Sequence, residues 1–132
     1  MYWLVKSEPE EYSFSDLMRD GRAVWEGVRN PQAQKYLRQM QVGEEVLYYH
    51  TGNTRAIVGI ARVARTAFPD PTDTRYMAVE LEGVRWLGRP IPLAEIKADS
   101  FFKDFALVRQ SRLSVMPVPP EVWEKILEKV SF

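Results

Sequence analysis

Cysteine is absent from this sequence of 132 residues, and histidine occurs once, at position 50. Without cysteine the chain has no disulfide bonds, no thiol nucleophile and no thiolate metal site. With one histidine, a metal site would need to consist mainly of carboxylates, and no acidic segment has the spacing of a metal-binding loop. We therefore expect no bound metal and no cofactor.

The sequence also lacks net charge and long apolar runs. Its 18 basic residues balance 18 acidic ones, so any binding of nucleic acid must come from a local site rather than from a global positive field. No window is apolar enough to span a membrane, and the apolar stretch at residues 1–6 is too short for a signal peptide. We expect one domain over residues 1–132, in a soluble cytoplasmic protein that is monomeric and has no membrane partner.

In the first half of the chain, the clearest signals are helix starts. The predicted elements are a strand at residues 2–6, a loop after it, and helices at 14–19 and 31 to about 41. Ser13 and Asp16 have the spacing of a capping box, and Gly21 ends the first helix. Asn30 can cap the second helix, with Pro31 at its first position.

The residue pattern in the second half of the chain predicts a bent sheet. Its predicted elements are strands at 45–50, 56–64 and 76–86, helices at 92–97 and 100–105, an extended segment at 112–118 and a helix from Pro120. Gly59 indicates a bulge or a close approach, and a change of apolar parity near Gly83 predicts a β-bulge. This order favours an α+β fold, a curled mixed β-barrel of about five to six strands flanked by short helices, over a doubly wound parallel sheet.

The segment at residues 25–33 combines groups that suit a flat, hydrogen-bonding ligand. Trp25 offers a ring for stacking, Gly27 permits close backbone approach, and Arg29 offers a fork of donors. The alternative is that Trp25 packs in the core and Asn30 only caps the helix. Polar groups beside apolar ones also occur at residues 6–9, 48–50 and 112–114, and each of these segments has a structural explanation of its own.

Taken together, the motifs of this chain resemble those of the EVE domain. They run in order from residue 3 to about residue 126: WLVKSEP at 3–9, YSFSDL at 12–17, WEGVRNPQA at 25–33, YYH at 48–50, IVGI at 57–60, FPD at 68–70 and RLSV at 112–115. The EVE family includes the thymocyte nuclear protein group and belongs to the PUA-like superfamily with YTH and ASCH domains. The resemblance implies a curled β-barrel flanked by helices. It also implies recognition of modified bases, modified cytosine in DNA for EVE domains and methylated adenine in RNA for YTH domains.

A protein that detects a base modification must take the base out of the stack, hold its faces and test its edge. The residues that we predict for such a pocket are Ser7, Trp25, Val28, Asn30, Tyr49, His50, Leu113 and Ser114. Trp25 is the predicted stacking wall, and either Tyr48 or Tyr49 contributes, because only one side of that strand can face the pocket. His50 is expected to donate or accept a hydrogen bond rather than to act as a base. Lys6, Arg29 and Arg55 are the predicted phosphate contacts.

We therefore predict a non-catalytic reader of a modified nucleobase, with modified cytosine in DNA as the first choice. Its partners are DNA or RNA that carries the modified base, together with a possible nuclease or effector encoded separately. The alternatives are a module that binds modified bases in RNA and an ASCH-like nuclease, for which Lys6, Glu8, Tyr12 and His50 could supply acid and base groups. In a third alternative, Phe101, Phe102 and Phe105 dock on a protein partner, although their spacing favours one buried helix face.

Overall fold

A curled six-stranded sheet forms the centre of the molecule, whose computed structural model describes residues 1–130. The strands are β1 (Tyr2–Ser7), β2 (Arg22–Trp25), β3 (Glu45–His50), β4 (Ala56–Pro69), β5 (Met77–Pro92) and β6 (Val115–Val118). Their order is β2-β5-β4-β3-β1-β6, with β1 parallel to β3 and every other neighbouring pair antiparallel. This confirms the predicted α+β fold with a curled mixed sheet. In the described residues the sheet does not close into a barrel, because no pairing joins β2 to β6.

Short helices surround the sheet. They are α1 (Pro9–Tyr12), α2 (Phe14–Asp20), α3 (Pro31–Leu37), α4 (Leu93–Ala98), α5 (Ala106–Arg109) and α6 (Pro120–Glu128), with a 3-10 turn at Ser100–Phe102. Helix α6 packs on the sheet through Trp123, whose ring stacks on Tyr2 at 4.3 Å. Phe102 and Phe105 are buried as predicted, whereas Phe101 is 46% exposed. No helix among residues 1–130 is long and apolar enough to cross a membrane.

Both helix starts that the sequence predicts are present. The Ser13 hydroxyl accepts a hydrogen bond from the Asp16 N–H at 3.0 Å, and the Asp16 carboxylate accepts one from the Ser13 N–H at 2.9 Å. The side-chain oxygen of Asn30 accepts a hydrogen bond from the Ala33 N–H at 3.0 Å. Helix α3 ends at Leu37 rather than near residue 41, because the next N–H groups bond to carbonyls three residues back, which tightens the chain into a turn.

Other boundaries differ because tertiary pairing decides them. Helix α1 lies where a loop was predicted, and strand β2 was not predicted. Each is only four residues long, too short to show a periodicity. Strand β2 exists through its antiparallel pairing with β5. The last extended segment begins at Val115 rather than at residue 112, where the chain instead turns.

Two glycines allow close packing along the long β4–β5 pair. The β4–β5 register shifts at Gly59, and a Cβ atom on Gly59 would lie 2.3 Å from a ring carbon of Phe14. The register shifts again beside Gly83, where Val84 is the extra residue of a bulge. The predicted close approach at Gly59 and the predicted bulge near Gly83 are both confirmed.

The turn after β4 anchors the loop after β2 through one buried carboxylate, that of Asp70. Asp70 is 0% exposed and accepts hydrogen bonds from the Gly27 N–H at 2.9 Å and from Arg29 at 3.1 Å. It also accepts from the backbone N–H and the hydroxyl of Thr72. Burial by itself raises the pKa of Asp70, but these hydrogen bonds outweigh it and hold the pKa well below the usual range.

Replacing Gly59 with alanine should lower the free energy of unfolding by about 1–3 kcal/mol, since the added methyl meets the fully buried ring of Phe14. The matched control is Gly83→Ala, whose Cβ would lie 2.7 Å from the sulfur of Met18, a flexible side chain that can move. Urea unfolding of both variants measures the difference. Equal losses would contradict the packing argument.

Replacing Asp70 with asparagine should cost about 1–3 kcal/mol at neutral pH, because an amide cannot satisfy all the donors that converge on the carboxylate. The folded-state pKa lies below the ordinary value of 3.8, so the stabilisation is present above that pH and is lost only as the folded carboxylate protonates below it. The stability gap between wild type and variant should therefore hold down to about pH 4 and shrink at lower pH. Asp73→Asn, in the same turn but bonded to the exposed Arg75, should cost less. If the stability difference between wild type and Asp70→Asn closes well above pH 4, the stabilising role of the ionised Asp70 carboxylate is refuted.

Candidate functional site

An open cavity of about 680 Å³ lies between β2 and the end of β1. It is lined by residues 6–8, 11–12, 23–29, 51, 111–112 and 114. These residues come from the end of β1, helix α1, strand β2 with the loop after it, and the segment that enters β6. We call this space the main cavity because most of the predicted site residues line it; a slightly larger pocket, of about 720 Å³, is lined by residues 1–2, 42–45 and 117–120.

Trp25 lines the main cavity and also belongs to the buried core. The residue is 9% exposed, and its ring meets the ring of Tyr48 edge to face, with centroids 5.4 Å apart. The Tyr48 hydroxyl donates a hydrogen bond to the carbonyl oxygen of Tyr12 at 2.8 Å, and the Ser7 hydroxyl donates to the same oxygen at 2.8 Å. Burial raises the pKa of Tyr48, so its hydroxyl remains a donor at neutral pH. Tyr48, itself held by this hydrogen bond, therefore supports the Trp25 ring.

The loop that carries the cavity rim is fixed from two sides. Gly27 has a φ of +79°, a conformation that favours glycine, and its N–H bonds to Asp70. The buried side-chain amide of Gln34 donates to the Val28 carbonyl at 2.7 Å and also bonds to both backbone groups of Met77. The conformation of the rim loop is therefore held by hydrogen bonds within the protein, without a ligand.

Lys6 separates the main cavity from a second pocket. Its ammonium donates to the Ser111 carbonyl at 3.0 Å, and burial lowers its pKa. The second pocket, of about 250 Å³, is lined on its polar side by Lys6, Arg55 and Lys97, and on its apolar side by Tyr49, Leu93, Leu107 and Val108. A third concavity is formed by Asn30, Gln32 and residues 109–113.

The main cavity brings together six of the predicted site residues: Lys6, Ser7, Trp25, Val28, Arg29 and Ser114. The other five lie elsewhere: Arg55 and Tyr49 line the second pocket, Asn30 and Leu113 line the third concavity, and His50 lines none of the three. Tyr49 therefore does not line the main cavity. Adjacent side chains of a strand point to opposite faces, so Tyr48 supports Trp25 while Tyr49 faces the second pocket.

His50 has a structural role in this arrangement. Its Nε2 atom accepts a hydrogen bond from the Phe14 N–H at 3.0 Å, and its side chain is 8% exposed. Burial lowers the pKa of His50, which keeps the ring neutral and able to accept that bond. The histidine therefore holds the backbone at the start of α2.

Arg29 is engaged with the protein. Its guanidinium bonds to Asp70 at 3.1 Å and to the Thr72 hydroxyl at 3.0 Å, and it lies 4.5 Å from the ring centre of Tyr76. These contacts orient the side chain along the rim of the cavity.

Sequence reasoning missed several residues of the main cavity, among them Ala23, Val24, Ser111 and Arg112. The two β2 residues were missed with the strand itself. Arg112 belonged to a segment singled out for its polar groups, and that signal would have identified it. Among residues 1–130, no group of three or more His, Asp or Glu side chains is placed to hold a metal ion.

The comparisons with known proteins agree with this structure. The chain matches the sequence model of the EVE domain over residues 1–129. It is 32% identical to thymocyte nuclear protein 1 of Mus musculus, over 96% of this chain and 72% of that protein. A crystal structure of a Pseudomonas syringae protein superposes with a TM-score of 0.92 at 39% identity, covering 98% of this chain and 99% of that one.

A further similar structure is that of the human THYN1 protein in complex with 5-methylcytosine containing DNA. It superposes with a TM-score of 0.90 at 29% identity, and covers 97% of this chain and 96% of that one. Because the family match extends over nearly all of the sequence and the same fold recurs in these relatives, this chain belongs to the EVE domain family.

Proposed function

We propose that this protein is a non-catalytic reader of a modified nucleobase, with modified cytosine in DNA as its ligand. The observation that carries the proposal is the main cavity, which Trp25 lines together with polar residues and whose rim loop is held by Asp70. The human relative bound to 5-methylcytosine containing DNA supports the choice of ligand. Other modified bases, in DNA or RNA, are the competing ligands for the same cavity.

The proposed mechanism begins with a base that leaves the stack, because its modified edge is otherwise shielded by its neighbours. Trp25 provides a stacking surface, and stacking of a base on an aromatic ring is worth about 1–3 kcal/mol. Tyr48 positions the Trp25 ring from behind. Because the wall and rim are already set in the free protein, little ordering is needed on binding.

The edge of the base would meet the short polar side chains of Ser7 and Ser114. The Ser7 hydroxyl donates a hydrogen bond to the Tyr12 carbonyl oxygen, so the Ser7 oxygen can accept a hydrogen bond from the exocyclic amino group of cytosine. The half-buried Ser114 hydroxyl can donate to a ring acceptor. Asn30 would contribute less to base recognition than its motif suggests, since its side-chain oxygen already caps α3.

A methyl group on the base would find apolar surface at Ala23, Val24 and Val28. Burying one methyl group is worth about 0.8 kcal/mol, or roughly fourfold in affinity. Stronger discrimination must therefore come from hydrogen bonds that form only when the modified base is seated, worth about 1–3 kcal/mol each when they are buried.

The Trp25→Ala variant tests the stacking wall. We expect it to lose roughly 5- to 150-fold in affinity for short DNA carrying 5-methylcytosine, since one base–aromatic stack is removed. Fluorescence anisotropy with matched methylated and unmethylated oligonucleotides measures both affinity and discrimination, and RNA carrying the same modification shows which polymer is preferred. Incubation of these oligonucleotides with Mg²⁺ and analysis of the products tests the absence of catalysis.

The control is Trp86→Ala, because Trp86 is 47% exposed and lies outside the main cavity. It should bind as wild type does. Trp25→Phe keeps a ring and should regain part of the lost affinity, which separates stacking from loss of fold. If folded Trp25→Ala protein discriminates methylated DNA as well as wild type, the base does not occupy this cavity.

A further inference from the structure

We infer that the phosphodiester backbone of the bound strand crosses the protein on the Ser111 side of the main cavity, where five cations border three adjoining concavities. These cations are Lys6, Arg55, Lys97, Arg109 and Arg112. We call this surface the cationic arc. The inference rests on the proposed function and deepens it, since it states where the polymer lies when its base is in the cavity.

The geometry of the cationic arc follows from one residue. Ser111 lines the main cavity, the second pocket and the third concavity, and its carbonyl holds the Lys6 ammonium at 3.0 Å. A strand that passes over Ser111 therefore meets Arg109 and Arg112 on one side and Arg55 and Lys97 on the other, with Lys6 beside the base.

The charges of the cationic arc are not neutralised by the protein. In the described part of the chain, none of its five cations takes part in an ion pair, and all except Lys6 are exposed. Arg22, Arg62 and Arg89 pair with Glu82 or Glu95. Other cations outside the arc, such as Lys35 and Arg38, also take part in none of these ion pairs, so the arc is distinguished by the grouping of its cations around Ser111. Exposed cations without carboxylate partners are the groups that exchange counterions for phosphate.

The acidic side chains of the main cavity also orient the strand. Glu8, Glu11 and Glu26 are exposed and line the cavity along α1 and the end of β2. Carboxylates at these positions repel phosphate, so the backbone is excluded from this side and directed to the cationic arc.

The second pocket is the best-formed phosphate position on the arc. Arg55 lies at its edge with its backbone fixed, because the Arg55 carbonyl accepts a hydrogen bond from the Leu93 N–H at 2.8 Å. Lys97 projects from α4 into the same pocket, which shares Lys6 with the main cavity. A phosphate held there belongs to a nucleotide next to the flipped base.

The test compares two double variants in binding to duplex DNA over a range of salt concentrations. Arg55→Ala with Lys97→Ala removes two phosphate contacts, and should reduce the slope of log K against log salt by about 2. The affinity ratio between methylated and unmethylated DNA should stay unchanged, because neither residue lines the main cavity. The matched control is Lys35→Ala with Arg38→Ala, which also removes one lysine and one arginine, both exposed and outside the three concavities.

The control should keep the wild-type slope. The proposed path of the phosphodiester backbone would be overturned by either of two results. One is an unchanged salt slope in the Arg55→Ala, Lys97→Ala variant; the other is an equal change of slope in that variant and in the control. Failure of the proposed function gives a different result, in which wild type shows no preference for the methylated base while the arc variant still loses salt dependence. Loss of the methylation preference in the arc variant would place the base, rather than a phosphate, in the second pocket.

Discussion

The position of the site depends on the open edge of a strongly curled sheet. Strand β2 pairs with β5 on one side only, and β6 pairs with β1 on one side only, so the described sheet bends without joining its two ends. The main cavity lies beside the free edge of β2 and the end of β1. Closing the sheet would remove this space, and a flat sheet would not bring Trp25 near Lys6.

Rigidity at this opening comes from a few buried polar side chains. Asp70 holds Gly27 and Arg29, and Gln34 holds Val28 against β5. Three of these bonds span 41 to 43 residues of sequence, so they tie the rim to the turn after β4 and to β5. Under the proposed function, such a site would discriminate between bases by fixed hydrogen-bond positions, because a base that does not fit leaves donors or acceptors unpaired.

The balanced charge of the chain conceals a strong local pattern. Five cations border the concavities around Ser111, and none of them takes part in an ion pair among the described residues. A neutral protein with this local pattern should bind nucleic acid weakly in general and be held mainly by what enters the cavity. That balance suits the proposed reader function, which requires fast release from unmodified sites.

Features that depend on local chemistry can be read from the order of the residues. Capping at Ser13 and Asn30, the glycine at position 59 and the parity change near Gly83 are readable because neighbouring residues cause them. Six of the eleven predicted site residues line one cavity, since they lie in motifs that one fold brings together. The folded chain was needed to show that β2 is a strand, that Tyr48 rather than Tyr49 supports Trp25, and that His50 bonds to the backbone of Phe14. Those outcomes depend on pairing, curvature and burial between distant segments, which local sequence does not encode.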